Sequence, residues 1–409
     1  MTDPEESYKL REFVIPNLAQ LGEESFIFSL YPIFGEDMNE EFLNKKLAER
    51  KDLNAYRQLQ LPKNKIDFFS NDYLGISKAK LLSAVDGQLS TGSTGSRLLS
   101  GNYPLIEETE KMIATFHDAE SGLIFNSGYD ANVGLVSCIA QRGDTILYDH
   151  LSHASIRDGM RLSFAQSFSF VHNDTEDLEK KLKAAQGNIF VVTESVFSMD
   201  GDIAPLKIIS ELCEKYNANL IVDEAHATGV VGEKGEGLVQ QLNLQEKCFA
   251  RMHTFGKALG CHGAVILGSE TLKNYLINFS RAFIYTTSLP EISVEAIKNS
   301  YKLFPKMNGE RKHLQQLIGS FQNATLIFEK FKSLTPIQVV IITGNDNVKK
   351  IASHLQENDF DVRAIVYPTV PKGSERLRIV LHSFNSVEEV DNLVRLLNVK
   401  MAQLSELGF

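Results

Sequence analysis

Short apolar runs recur from about residue 107 onward, at 122–125, 145–148, 167–171, 188–193, 219–222 and 264–267. Each is continuous rather than alternating in polarity, the pattern of a strand covered on both faces. Helix-length segments lie between several of them, at 175–185 and 205–216, with Asp174 ahead of the first and Pro205 heading the second as start signals. Strands alternating with helices predict βαβ units and a mostly parallel sheet. Beyond Pro290 the texture changes. A long helical stretch runs to about Lys332, interrupted near 305–309, and apolar runs follow at 337–342, 361–366 and 377–381. One helical segment separates the first two runs and another closes the chain, which predicts a smaller α+β domain joined by a linking helix. Near the other end, Met38 opens a helical pattern with Phe42, Leu43, Leu47 and Leu53 on roughly one side. Residues 1–37 show no clear period, and read either as an extra N-terminal segment or as sequence ahead of a start at Met38. The division that results is an N-terminal segment over 1–75, a large domain over 76–305 and a small C-terminal domain over 306–409.

Composition narrows the class. With 409 residues, 43% hydrophobic and 23% charged, the chain is an ordinary globular sequence able to bury a sizeable core. A net charge of −10 lacks the basic footprint of a nucleic-acid binder, but leaves anionic small molecules open, since local charge decides those. The four cysteines, Cys138, Cys213, Cys248 and Cys261, form no CxxC pair and have no zinc-ligand spacing. They read as reduced thiols in a reducing compartment. An acidic N-terminus without an apolar signal core, and no apolar stretch of about 20 residues, predict a cytoplasmic protein without a membrane partner.

In an open parallel sheet, ligands sit beyond the carboxyl ends of the strands, so polar residues just after apolar runs are the candidates. Leu220-Ile-Val feeds straight into Asp223, with His226 three positions on. An acid there serves to bind a metal, cap a helix or pair with a cationic ring nitrogen. The letters DEAH also suggest a helicase box, but that needs a phosphate loop, and Gly256-Lys257 is followed by Ala258. Lys257 lies between Gly256 and Gly260, just past another strand end; glycines let the backbone crowd a planar ligand. A lysine desolvated there loses proton affinity and becomes a Schiff-base nucleophile, where an ordinary lysine is a surface charge. Asn126-Ser127-Gly128-Tyr129 joins a strand end to a helix start, a junction that offers N–H groups to a phosphate. His150 and His153 have no third metal ligand nearby, and a flat imidazole stacking on an aromatic cofactor is the better use. Arg376 and Arg378 share one face of a strand, either as a surface charge pair or with one of them as a bidentate clamp for a carboxylate.

Taken together, these stretches resemble the α-oxoamine synthase family of fold-type I pyridoxal-phosphate enzymes. The matching wording is SNDYLG (70–75), GSTGSRLLSG (92–101), FNSGYDAN (125–132), DHLSHASI (149–156), TESVFSMDGDIAPL (193–206), VDEAHATGVVGEKGEG (222–237), TFGKALG (254–260) and TVPKGSERLRI (369–379). The resemblance implies a homodimer with shared active sites and pyridoxal 5'-phosphate bonded to Lys257, which also moves the proton at the substrate Cα. It further implies that Asp223 holds the ring nitrogen, His153 stacks on the ring, and His226 and Ser198 sit by the ring hydroxyl. Ser127, Gly128, Tyr129 and Thr254 would lie at the phosphate, while Tyr285, Thr286 and Thr287 would reach a partner's phosphate. Asn71 and Arg378 would hold the amino-acid carboxylate, and Arg57 the acyl pocket. No metal is implied. TFGKALG and RAFIYTTSLP (281–290) are similar to the subgroup of biotin biosynthesis that joins L-alanine to a pimeloyl thioester on CoA or acyl carrier protein. Glycine with acetyl-CoA (the aminoketobutyrate-CoA ligases), serine with a long acyl chain (the serine palmitoyltransferases), and a catalytically silent binding subunit are the competing readings. Two departures bear on acyl choice: Val366 stands where the subgroup often carries a second Arg, and His262 follows the lysine loop where smaller residues are common.

Overall fold

The computed structural model describes residues 39–61, 64–82 and 88–406, which fall into two units divided between Arg50 and Lys51. The segment 1–37 lies outside the described residues. A helix, Glu41–Asp52, forms where the Met38 periodicity predicts one.

In the second unit the strands are β1 (Ile66–Asp67), β2 (Ser121–Phe125), β3 (Thr145–Asp149), β4 (Gln166–Phe170), β5 (Ile189–Glu194), β6 (Asn219–Asp223), β7 (Cys248–Thr254), β8 (Ala264–Gly268), β9 (Ile337–Ile341), β10 (Phe360–Asp361), β11 (Arg363–Ile365) and β12 (Arg376–Val380). Seven of them build one sheet in the order β2-β8-β7-β6-β5-β3-β4. Only β8 runs against its neighbours. Along β5, Val191 enters one buried cluster while Phe190 and Val192 enter another. Both faces are thus covered, the reason its sequence is continuously apolar. Asp174 caps the helix Thr175–Ala184 by accepting from the amides of Glu176 and Asp177, as the sequence predicts.

β7 is absent from the predicted runs. Its sequence, CFARMHT, is broken by Arg251 and His253, yet both are buried. Arg251 donates to the carbonyl of His117 at 2.6 Å, and His253 Nδ1 is 2.8 Å from Thr228 Oγ1. Internal partners let a polar pair sit in a central strand.

After Pro290, the helix Glu291–Leu303, a 3-10 turn over Phe304–Lys306 and the helix Asn308–Asn323 follow. The predicted continuation to Lys332 does not form. Residues past 323 run instead along the edge of β9, with the Phe331 amide bonded to the Val339 carbonyl at 3.0 Å. β9, β12 and β11 make an antiparallel sheet backed by the helix Asn345–Glu357, against which the helix Val387–Glu406 packs. β1 pairs in parallel with β10, so an early segment joins a late one. Among the described residues no helix is long and apolar enough to cross a membrane.

Candidate active site

Because β2, β3, β5, β6 and β7 are parallel, their C-terminal ends deliver Ser127, His153, Ser198, His226 and Lys257 to one edge of the sheet. A cavity of about 330 Å³ opens there, lined by His153, Ser198, His226 and Lys257 and by Asn71 and Arg378.

Lys257 is half-buried, and desolvation lowers its amine to about 8, against the opposing charges of Asp223 and Glu194. Its Nζ lies 2.8 Å from His226 Nε2. Nδ1 of His226 is 2.6 Å from the Tyr73 hydroxyl, which donates to Asn71 Oδ1 at 3.2 Å. Since Tyr73 gives its proton to Asn71, it accepts from His226 Nδ1–H, and Nε2 is then the bare nitrogen that accepts from Lys257. Burial and the Lys257 charge push the imidazole well below the usual histidine range, consistent with this neutral tautomer. Arg378 joins the same chain, donating to Asn71 Oδ1 at 3.0 Å and to the Ser198 carbonyl at 2.7 Å.

Asp223 is fixed by two donors, the Ala225 amide and Asn132 Nδ2, each at 2.8 Å. Its charge acts on both Lys257 and His153, raising the amine and the imidazole against the effect of burial. His153 Nδ1 accepts from the Ser155 amide at 3.2 Å, and burial lowers this imidazole too. Glu194, directly opposite Asp223 in the sheet, accepts from the His153 amide at 2.6 Å. Burial and then the Asp223 charge raise its carboxyl well above the usual range.

Ser127 caps the helix Gly128–Ile139, accepting from the Asp130 amide at 3.1 Å. A side chain on Gly128 would come within 3.3 Å of Thr254 Oγ1, so the helix start abuts the end of β7. The first amides of a helix have no intrahelical acceptor and are open to an anion. Tyr129 contributes its backbone there; its phenol is half-exposed and bonded to Asp158. Asn126 pins the neighbouring segment, donating to Thr286 Oγ1 at 3.0 Å and the Thr287 carbonyl at 2.8 Å. A half-buried amine of lowered basicity, a carboxylate whose charge acts on it, two imidazoles of lowered basicity and a helix start fit an aromatic aldehyde that carries a phosphate.

Some residues fall elsewhere. Arg57 bonds to Thr369 Oγ1 at 3.1 Å and does not line this cavity; His262 is exposed, and Val366 packs on the core. Arg376 is tied to Asp200. Phe69, Met199, Arg363 and Ile365 also line the cavity. Tyr73, Asn132, Glu194 and Arg363 were missed as site residues by sequence reasoning. A signal existed for Glu194 alone, which ends β5 as Asp223 ends β6.

The family pattern of aminotransferase class I and II matches residues 63–397. An 8-amino-7-oxononanoate synthase of Emericella nidulans is 43% identical over 387 residues, covering 86% of this chain and 93% of the relative. The solved 8-amino-7-oxononanoate synthase of Francisella tularensis is 29% identical, with a TM-score of 0.70 over 83% of this chain and 99% of its own. A solved serine palmitoyltransferase of Sphingomonas wittichii is 27% identical, with a TM-score of 0.82 over 90% of this chain and 99% of its own.

Proposed function

The chain belongs to the aminotransferase class I and II family, and on that premise we propose that it is a pyridoxal-phosphate-dependent acyltransferase of biotin biosynthesis. It joins L-alanine to a pimeloyl thioester, on CoA or acyl carrier protein, releasing CO2 and the carrier and giving 8-amino-7-oxononanoate. The observation that carries this reading is the lowered amine of Lys257, set 2.8 Å from a neutral His226 in the cavity that also holds Arg378. The 43% identity to a synthase of that name, over most of both chains, supports the choice of substrates.

When bound, pyridoxal phosphate supplies an aldehyde for amines and a ring that spreads the electron pair released at the substrate Cα. The protein does the rest. Lys257 would hold the aldehyde and, with the substrate amine in place, would move the Cα proton, for which a group near neutral pH is suited. Asp223 offers its carboxylate to the ring nitrogen, fixed in place by Asn132 and the Ala225 amide. His153 would offer a flat face to the ring, and His226 and Ser198 would serve its hydroxyl side. Ser127, the Gly128 and Tyr129 amides and Thr254 hold the phosphate. Arg378, steadied by Asn71, forks onto the amino-acid carboxylate, which orients Cα towards Lys257. Arg57, anchored on Thr369, belongs to the acyl entrance. Two copies of the chain complete each site, with Tyr285, Thr286 and Thr287 reaching the partner's phosphate.

The test is a substrate matrix. Purified holoenzyme is given L-alanine, glycine or L-serine with acetyl-, pimeloyl- or palmitoyl-CoA, or pimeloyl carrier protein, and free thiol and product mass are followed. Turnover confined to L-alanine with a pimeloyl thioester is expected. Preference for glycine with acetyl-CoA, or serine with palmitoyl-CoA, overturns the assignment; no turnover with any pair leaves only a silent binding subunit.

A further inference from the structure

Arg363 on β11 and Arg378 on β12 are direct cross-strand partners, and both line the cavity that holds Lys257. Side chains at opposed positions share a face, with Cβ atoms about 5 Å apart, and like charges placed so repel each other. Among the described residues, the cavity wall holds Lys257 and these two arginines and no carboxylate. Arg378 bonds to neutral groups, Asn71 and the Ser198 carbonyl. An amino-acid substrate brings one carboxylate, enough for one of the two arginines.

Arg363 is built to take a second anion. Asp361 accepts from Nη2 at 3.0 Å, with Nε 2.9 Å from its other oxygen although the Nε–H is not aimed at it. The guanidinium carbon stands 4.7 Å from the centre of the Phe69 ring, which fixes its plane. Nη1 donates to the amide oxygen of Gln60, a neutral and exposed residue. A carboxylate outcompetes a neutral amide for such a donor, because charge-assisted bonds are roughly twice as strong. Asp361 and Gln60 also leave part of the N–H set unused. Beside the guanidinium lies an apolar wall of Phe69, Met199 and Ile365, the last brought to the same face by strand alternation. An apolar wall ending at a cation fits an acyl chain with an anionic far end.

Resting on the function proposed above, we propose that Arg363 binds the distal carboxylate of the acyl chain and so selects ω-carboxyl acyl thioesters over uncharged chains of similar length. The test compares holoenzymes of wild type, Arg363→Gln and Arg363→Lys with pimeloyl-CoA and octanoyl-CoA, which share a carrier and differ in terminal charge. With saturating L-alanine, Arg363→Gln is expected to lower kcat/KM for pimeloyl-CoA on the order of 100-fold, mostly through KM. Octanoyl-CoA should change by less than about 3-fold, and Arg363→Lys should restore part of the loss. Calorimetric binding of each thioester to holoenzyme without amino acid should show the same split. Equal losses with both thioesters overturn the proposal, since Arg363 then serves the carrier or the fold. No loss with either overturns it as well. If wild type turns over neither thioester, the parent function fails, while calorimetry still decides whether Arg363 distinguishes the two chains. The cofactor absorbance of each variant reports whether it has folded.

Discussion

Lys257 offers a reading of proton affinity that activity alone does not. Burial lowers its amine to about 8, while the charges of Asp223 and Glu194 pull it back up. At pH 7 a group of pKa about 8 is roughly one-tenth free base, whereas a model lysine near 10.4 is about 0.04% free, a difference of roughly 200-fold. The free amine is the form that attacks an aldehyde. Capture of pyridoxal phosphate by cofactor-free protein, followed by stopped-flow absorbance, should therefore accelerate about tenfold per pH unit up to about pH 8 and then flatten. Asp223→Asn removes the charge that favours the ammonium, so the bend should move below 8. Glu194→Gln should move it less, because burial raises the Glu194 carboxyl and so reduces its charge. A rate that keeps climbing tenfold per unit to pH 10, in wild type and variants alike, would refute the argument that the site desolvates this amine.

Asp223→Asn should also slow turnover at least ~100-fold with cofactor still bound, the scale of a lost electrostatic contact to developing charge; an unchanged kcat would mean the ring nitrogen is held otherwise. His172 lies 2.9 Å from Asp149 and 2.7 Å from Asp202; burial would lower it, but these acids overcome that and push it up to about 9. The folded value exceeds the unfolded one, so its stabilisation is complete below about 6.5 and lost as pH rises through about 9. Urea unfolding of wild type against His172→Gln should thus show a gap of up to about 3 kcal/mol near pH 6 that closes above pH 9; a gap independent of pH contradicts the linkage. Gly201 has φ +72° and a side chain there would meet the Ile337 carbonyl at 2.2 Å. Gly201→Ala should cost at least about 2 kcal/mol in the same assay, and a change under about 0.5 would show that the loop yields freely.

The sheet was legible because most of its strands are covered on both faces, which leaves continuous apolar runs, and because the residue after such a run sits at the ligand edge. Asp223 was found by that rule, and Glu194 obeys it too; Lys257 stood out instead by the glycines on either side of it. β7 was hidden by Arg251 and His253, whose partners His117 and Thr228 are supplied by tertiary contact. Tyr73 and Asn132 are bonded to residues 153 and 91 positions away, a relation no local pattern records. Arg363 reads as a surface charge until the register sets it opposite Arg378. The overextended helix after Asn323 failed because an apolar stretch with helical spacing found an open strand edge.

The central claim is that Lys257 carries pyridoxal phosphate beside Asp223. Borohydride reduction of the yellow holoenzyme, followed by peptide mass mapping, tests it most directly. One phosphopyridoxyl group per chain, on the peptide containing Lys257 and absent from Lys257→Ala, is the result the account predicts. A label on another lysine, or none with full absorbance before reduction, would contradict it.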